Sequence, residues 1–199
     1  MDLFSSTKEI INLDNERADF YADFYSPEEA NKILKELISS TPWKQEYINI
    51  MGKVSPIPRL TYWYSRDSKP YKYSGIKVQP IPYTKLITDI AKKIEDKTNL
   101  NFNSVLLNYY RDGNDSVSWH ADDEKSLGSQ VNIASISIGA ERDFQFKRKD
   151  GNGERQKITL TNGSLLVMHS PIQEFWLHQI PKRKKINEPR VNLTFRYIP

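Results

Sequence analysis

The sequence predicts an α+β fold in which two helices buttress a double-stranded β-helix, or jelly roll. Seven or more short β-branched or aromatic runs follow one another after residue 100, separated by turn residues and by no helical pattern, as is typical of sandwiches and jelly rolls. Two segments of the first half instead have helical periodicity. With 199 residues, 38% of them hydrophobic, the chain is long enough to bury the core of such a domain.

Two helices are predicted from their start signals and their apolar spacing. Ser26, Pro27 and Glu29 form a capping box with proline at the first helical position, so the first helix covers about residues 27 to 39. The second helix covers about residues 82 to 97. Its apolar side carries Leu86, Ile87, Ile90, Ala91 and Ile94.

The remaining segments are predicted to be strands, loops and one arm. Residues 1 to 20 are expected to form a weakly ordered N-terminal arm before a single domain over residues 21 to 199. Residues 48 to 81 are rich in proline and tyrosine, so short strands and loops are predicted there. The jelly-roll core is expected over about residues 101 to 198, where Thr161-Asn162-Gly163-Ser164 predicts a hairpin turn.

Composition and charge limit the classes of ligand and partner. The chain has no cysteine, which leaves histidine and carboxylate side chains as the metal ligands to expect. A net charge of +4 fits a lysine-rich surface, and the basic runs at residues 182–185 and 147–149 allow a nucleic-acid partner. No apolar stretch is long enough to cross a membrane, and residues 1 to 10 lack a secretory pattern. We therefore expect an intracellular protein, cytoplasmic if bacterial and nuclear if eukaryotic, and a monomer.

His120-Ala121-Asp122 is the first pattern that points to chemistry. On an extended segment, residues two apart project to the same face, so the imidazole and the carboxylate converge. A histidine from a distant strand would complete the facial triad of non-haem Fe(II) oxygenases. The third ligand has to be His169 or His178, and the spacing favours neither. The other interpretation is that the triplet occurs by chance at the protein surface and binds no metal.

The C-terminal run Arg190 to Arg196 predicts an anion site. On a strand, Arg190, Asn192, Thr194 and Arg196 face one side, and the apolar residues between them face the other. Two arginines inside a barrel are costly unless an anion meets them, and a dicarboxylate such as 2-oxoglutarate suits two guanidinium groups. The alternative is an edge strand with one solvated face.

Five ordered segments, residues 58–61, 108–110, 120–124, 135–140 and 190–196, together resemble the AlkB family of Fe(II)/2-oxoglutarate-dependent nucleic-acid dealkylases. The likeness is closest to the two animal DNA-repair homologues and covers about residues 48 to 197. It implies a jelly-roll dioxygenase that uses Fe(II), 2-oxoglutarate and O2, with a nucleotide-recognition lid over about residues 48 to 80.

The resemblance also implies a role for individual residues. The family's distal metal ligand precedes a short apolar-proline step, which here follows His178, so His120, Asp122 and His178 are the implied ligands and His169 is structural. The implied cosubstrate residues are Asn108, Tyr110, Arg190, Asn192 and Arg196.

Substrate contacts follow from the same likeness. Tyr73 matches the position that stacks on an extruded base, and Asp123 matches the acid that reads the base, with Glu124 as its neighbour. Arg59 and Tyr64 are the other residues expected near the base.

Two further matches concern duplex binding. Met51 lies where a duplex-specialised homologue carries an apolar finger. Arg183, Lys184 and Lys185 match that homologue's phosphate-binding loop. Other segments look more like the homologue associated with single strands, so strand preference stays open.

The predicted function is oxidative demethylation of 1-methyladenine and 3-methylcytosine in DNA, a direct-reversal repair that releases formaldehyde and succinate. The alternatives are the same chemistry on RNA, on a protein or on a small molecule. A rival of another class is a non-catalytic nucleic-acid-binding module on this fold.

Overall fold

The computed structural model describes residues 7–50, 52–67, 71–73, 76–78, 81–128 and 130–199, excluding the side chains of residues 50, 71–73 and 76–78. The helices are α1 (Pro27–Ser40), α2 (Lys85–Thr98) and the short α3 (Ile172–Phe175). The strands are β1 (Lys8–Leu13), β2 (Glu16–Tyr21), β3 (Tyr47–Ile50), β4 (Lys53–Pro56), β5 (Leu60–Ser65), β6 (Tyr71–Tyr73), β7 (Ile76–Val78), β8 (Ser104–Tyr110), β9 (Val117–His120), β10 (Ile133–Gly139), β11 (Arg142–Arg148), β12 (Gln156–Leu160), β13 (Ser164–Met168), β14 (Trp176–Ile180) and β15 (Arg190–Arg196).

Two antiparallel sheets pack face to face, which confirms the predicted jelly roll. The major sheet has the order β1-β2-β13-β10-β15-β8-β5, and the minor sheet has the order β12-β11-β14-β9. Apolar side chains from both sheets meet between them, among them Phe20 and Leu166 from the major sheet and Phe146 and Trp176 from the minor one. The space between the sheets is therefore the place where inward polar groups can form a site.

The strand β15 lies in the middle of the major sheet, between β10 and β8. Val191, Leu193 and Phe195 point to the outer face, where they pack with apolar residues of α1 and α2. The alternating residues point between the sheets, and every residue of the strand is buried. The alternative of an edge strand with a solvated face is therefore wrong.

The two predicted helices are confirmed. Ser26 caps α1 and forms the capping box with Glu29. The second helix begins later than predicted, because Thr84 is its N-cap and residues 82 and 83 precede the cap. Across the described ranges we find no helix long and apolar enough to span a membrane.

The predicted weakly ordered arm is wrong for residues 8 to 20. This segment forms the hairpin β1–β2, and β2 continues the major sheet by pairing with β13. Ala18 and Phe20 are buried by that pairing. Their apolar contacts between the sheets stabilise the hairpin. The sequence of this segment is polar and weakly patterned, so it did not predict these contacts.

The turn at residues 161–164 does not close a hairpin, contrary to the prediction. Its flanking strands belong to different sheets: β12 pairs with β11, whereas β13 pairs with β10 and β2. Gly163 has a φ of +86°, and a Cβ there would lie 2.5 Å from the carbonyl oxygen of Tyr25. The same turn chemistry therefore carries the chain across from one sheet to the other.

Candidate active site

Two neighbouring strands of the minor sheet bring the three predicted metal ligands together. His120 ends β9 and pairs in register with His178 of β14, and Asp122 follows two residues after the strand. One ligand atom from each of the three lies within 4.8 Å of the others. Two imidazoles and one carboxylate form the donor set of non-haem Fe(II) sites.

Both imidazoles are set up to bind a metal. Nδ1 of His120 lies 2.9 Å from the carbonyl oxygen of Ser118, and a carbonyl can only accept, so Nε2 keeps its lone pair for a metal. Burial, with a smaller contribution from the neighbouring His120, lowers the pKa of His178 to about 3. His178 is therefore neutral at pH 7, and it stacks on Phe144 with ring centroids 5.2 Å apart. No hydrogen-bond partner for its buried Nδ1 occurs among the described residues.

Asp122 is held from two sides in the interior. Its Oδ1 lies 2.8 Å from a guanidinium nitrogen of Arg196, and both side chains are buried. Its backbone N–H donates to Oε1 of the buried Gln173 at 2.9 Å. Burial alone would raise the pKa of Asp122, but Arg196 and the two neighbouring histidines lower it to about 2. The carboxylate is therefore ionised and oriented for a cation.

A small inner cavity of about 40 Å³ separates this cluster from Arg190. Arg190 is 1% exposed and donates from Nη2 to the hydroxyl of Ser137 at 3.0 Å. Its guanidinium carbon lies 4.9 Å from the ring centroid of Tyr110. Within the described ranges, its Nε and Nη1 have no hydrogen-bond partner. An unneutralised buried guanidinium of this kind fits an anionic ligand.

Amide side chains connect the inner cavity to the strands around it. Nδ2 of Asn192 donates to the hydroxyl of Ser135 at 2.7 Å, and its Oδ1 accepts from Thr194 at 2.8 Å. Oδ1 of Asn108 accepts from Nε of Arg59 at 2.7 Å. These bonds fix the polar lining before any ligand enters.

A larger cavity of about 300 Å³ opens beside His120. Trp63 and Trp119 provide flat walls, whereas Arg59 and Glu124 bring charge to it. Arg59 also lines the inner cavity, so it stands between the two. Burial, and then the charge of Asp122, raises the pKa of Glu124. Other lining residues include Lys44, Glu46, Ile57, Leu106 and Ser116.

Comparison with known proteins agrees with this geometry. A family model described as the 2OG-Fe(II) oxygenase superfamily matches residues 18–196. The "DNA oxidative demethylase ALKBH2" of Mus musculus is 36% identical over 188 residues, which cover 89% of this chain and 79% of the mouse protein. This chain belongs to the AlkB family.

One further relative and one solved structure extend the comparison. The "Alpha-ketoglutarate-dependent dioxygenase alkB homolog 3" of Mus musculus is 44% identical over 192 residues, which cover 92% of this chain. The match spans only 66% of that mouse protein's length. The solved structure of OsALKBH1 has a TM-score of 0.62 at 15% identity and covers 95% of this chain, so it shares the fold.

Two expected base contacts of this AlkB-family chain do not line the larger cavity. The side chain of Asp123 is 56% exposed and forms an ion pair with Lys149 at 2.7 Å, whereas Glu124 faces the cavity. Tyr64 is buried in the apolar cluster beneath the helices. Its neighbour Trp63 takes the cavity side, because successive strand residues face opposite ways.

The expected phosphate loop contains one paired cation and two exposed ones. Nε of Arg183 donates to Asp143 at 2.8 Å, and a second nitrogen of the same guanidinium also contacts that carboxylate. Lys184 and Lys185 are exposed. Arg183 therefore anchors the loop, and the two lysines point to solvent.

Two expected substrate residues cannot be placed at the site. Met51 lies outside the described residues. Tyr73 ends β6, which pairs with β7, but its side chain lies outside what the structure describes. His169, in contrast, is clearly separate from the metal cluster, because its Nε2 lies 3.1 Å from a carboxylate oxygen of Asp19.

Sequence reasoning missed four residues in or near the site: Trp63 and Trp119 line the larger cavity, Gln173 holds the backbone of Asp122, and Arg142 lies beside Tyr110. Trp119 could have been found from its position next to His120, at the start of the metal motif. Gln173 and Arg142 carry no such signal, because each acts on backbone atoms of remote loops.

Proposed function

We propose that this chain is an Fe(II)- and 2-oxoglutarate-dependent dioxygenase that demethylates 1-methyladenine and 3-methylcytosine in DNA. The observation that carries the proposal is the position of the His120, Asp122 and His178 cluster between two cavities. The inner cavity ends at the unneutralised Arg190, and the outer one has room for a base. A relative whose name states DNA demethylation supports the choice of substrate.

His120, Asp122 and His178 would hold the iron. With 2-oxoglutarate and O2, the bound iron supplies the oxidation of the N-methyl group. The protein keeps His178 neutral by burial and Asp122 ionised through Arg196, so these two ligands are in the protonation state that a divalent cation needs.

Arg190 would hold a carboxylate of 2-oxoglutarate. Asn108, Tyr110 and Asn192 line the same inner cavity and would orient the molecule. Arg196 would have a different role, because its guanidinium group already forms an ion pair with Asp122. We propose that it holds the metal carboxylate in place and contributes positive potential to the cosubstrate.

Trp63 and Trp119 would enclose the extruded base, with Glu124 as the group that reads its polar edge. Strands β3–β4 and β6–β7 would serve as the nucleotide-recognition lid. Lys184 and Lys185, which are exposed, would contact phosphates.

The test is mass spectrometry of 3-methylcytosine oligonucleotides after anaerobic loading with Fe(II) and 2-oxoglutarate and then addition of oxygen. Single-stranded DNA, duplex DNA and RNA of one sequence are compared, with His178→Ala as the control. We expect loss of the methyl mass from DNA with the wild type only. Succinate without a change in any oligonucleotide would show that the oxygenase core is active and that the proposed substrate is wrong. Faster demethylation of RNA than of DNA would favour the RNA alternative.

A further inference from the structure

Arg142 is a buried cation that the reaction outlined above does not use. It begins β11 with its side chain directed between the sheets, and it is 2% exposed. Its Nη2 donates to the carbonyl oxygen of Asp115 at 2.8 Å and to that of Pro181 at 2.6 Å. A third, longer bond of 3.4 Å goes from Nη1 to the carbonyl oxygen of Asp112.

These acceptors are neutral; burial lowers the pKa of Arg142, and Tyr110 and the nearby Asp115 and Asp112 carboxylates offset only part of that shift. Among the described residues, no carboxylate forms an ion pair with it, and its Nε has no hydrogen-bond partner. The nearby Asp115 carboxylate is bound by Arg111, with bonds of 2.8 and 2.9 Å. Carbonyl groups could hold a neutral donor equally well, so the hydrogen bonds alone do not explain a guanidinium here.

The charge lies next to the proposed cosubstrate residues. The guanidinium carbon of Arg142 is 5.7 Å from the ring centroid of Tyr110, and that of Arg190 is 4.9 Å from the same centroid. Burial lowers the pKa of Arg190 to about 10, with Tyr110 opposing the shift and Arg142 adding to it. The two cations therefore repel each other in the interior, and an anion at Arg190 relieves that repulsion.

We propose that Arg142 is a positioning residue that makes the inner cavity selective for a dianion, through its charge and through Tyr110. The inference rests on the proposed function, since it concerns the second carboxylate of 2-oxoglutarate, the one remote from the 2-oxo acid group. A buried unit charge at about 10 Å, with an effective dielectric constant near 20, changes the affinity for another charge by roughly tenfold.

The experiment compares two ligands on Mn(II)-loaded protein by anaerobic calorimetry. 2-Oxoglutarate carries the second carboxylate, whereas 2-oxopentanoate has the same carbon chain and a methyl group in its place. Arg142→Gln removes the charge and keeps hydrogen-bond donors, and Arg142→Lys keeps the charge. Arg148→Gln is the matched control, because it removes a cation of the same strand that pairs at the surface with Asp14 and Asp150.

We expect Arg142→Gln to weaken 2-oxoglutarate binding by about tenfold and to leave the Kd values of 2-oxopentanoate and Mn(II) within about twofold. Arg142→Lys should keep most of the preference for the dianion, and Arg148→Gln all of it. Wild-type affinity for 2-oxoglutarate in Arg142→Gln, or an equal loss for both ligands, would overturn the inference.

Arg142→Lys decides the matter if Arg142→Gln does not fold. Loss of the preference for the dianion in this charged variant would overturn the inference, and its retention would support it. Absence of 2-oxoglutarate binding by the wild type is a separate outcome, because it overturns the proposed function and this inference with it.

Discussion

Gln173→Leu is the substitution that tests how the protein orients its metal carboxylate. Gln173 lies in the short helix α3, is 2% exposed, and accepts the backbone N–H of Asp122 at 2.9 Å. Its amide nitrogen makes only a weak contact of 3.5 Å with the sulfur of Met168. Leucine has a similar volume, so the change removes the acceptor and leaves the packing almost unchanged.

The magnitude follows from the buried N–H that loses its partner. A buried donor without an acceptor costs about 1–3 kcal/mol in the free energy of unfolding. Loss of an outer-shell partner of a metal ligand typically lowers metal affinity by about 10- to 100-fold. We therefore expect Gln173→Leu to fold with reduced stability and to bind Mn(II) at least tenfold more weakly.

The assay is Mn(II) titration followed by electron paramagnetic resonance, together with urea unfolding of the metal-free protein. Glu174→Ala is the matched control, because this neighbour on α3 is exposed. The reasoning is refuted if Gln173→Leu is folded and its Mn(II) affinity lies within about twofold of the wild type. Equal weakening in Glu174→Ala would refute it as well.

Three further variants test other parts of the structure. The pKa of His178 is about 3 in the folded state, whereas an unfolded histidine has a pKa of about 6.5. The free energy of unfolding should therefore decrease as the pH drops from about 6.5, by up to ~1.4 kcal/mol per pH unit. His178→Gln should remove this slope in urea unfolding of the metal-free protein. Gly113→Ala should cost about 1–3 kcal/mol in thermal unfolding, since a Cβ there would lie 1.8 Å from the carbonyl oxygen of Arg183. Lys184→Ala with Lys185→Ala should weaken oligonucleotide binding and reduce its salt slope by up to about two.

Each of these has a contradicting result. An unchanged pH slope in His178→Gln would show that folding does not lower the pKa of His178 below its value in the unfolded chain. For the glycine, Asn114→Ala is the exposed control, and equal stability of the two variants would contradict the steric argument. For the lysines, Lys32→Ala with Lys35→Ala on α1 is the control pair, and an equal loss of affinity would mean that only net charge matters.

The sequence predicted those parts of the site that depend on period-two alternation. Arg190 to Arg196 alternates cleanly, so the inward face of β15 could be recognised before its neighbours were known. Alternation fails where the strand ends: after His120 the chain leaves β9, and the choice between Asp123 and Glu124 then depends on loop geometry. The expectation for Tyr64 failed for a related reason, since Trp63 and Tyr64 are both buried and only the packing of β5 decides which faces the cavity.

Contacts between distant segments were beyond sequence reasoning. The hairpin β1–β2 is stabilised by its partner β13, which lies far along the chain. Arg142 and Gln173 act on backbone groups, and a backbone group has the same chemistry in every residue. Their roles therefore leave no mark in the pattern of residue types.

The central position of β15 has a consequence for biosynthesis. No strand follows β15 in the described part of the chain, yet it separates β10 from β8 in the finished sheet. During translation both of those strands exist before their shared neighbour, so each exposes an open edge that can recruit other nascent chains. Chaperone demand should therefore peak just before residues 190–196 leave the ribosome. Arrested chains that stop short of this segment should aggregate, and chains extended past it should resist protease.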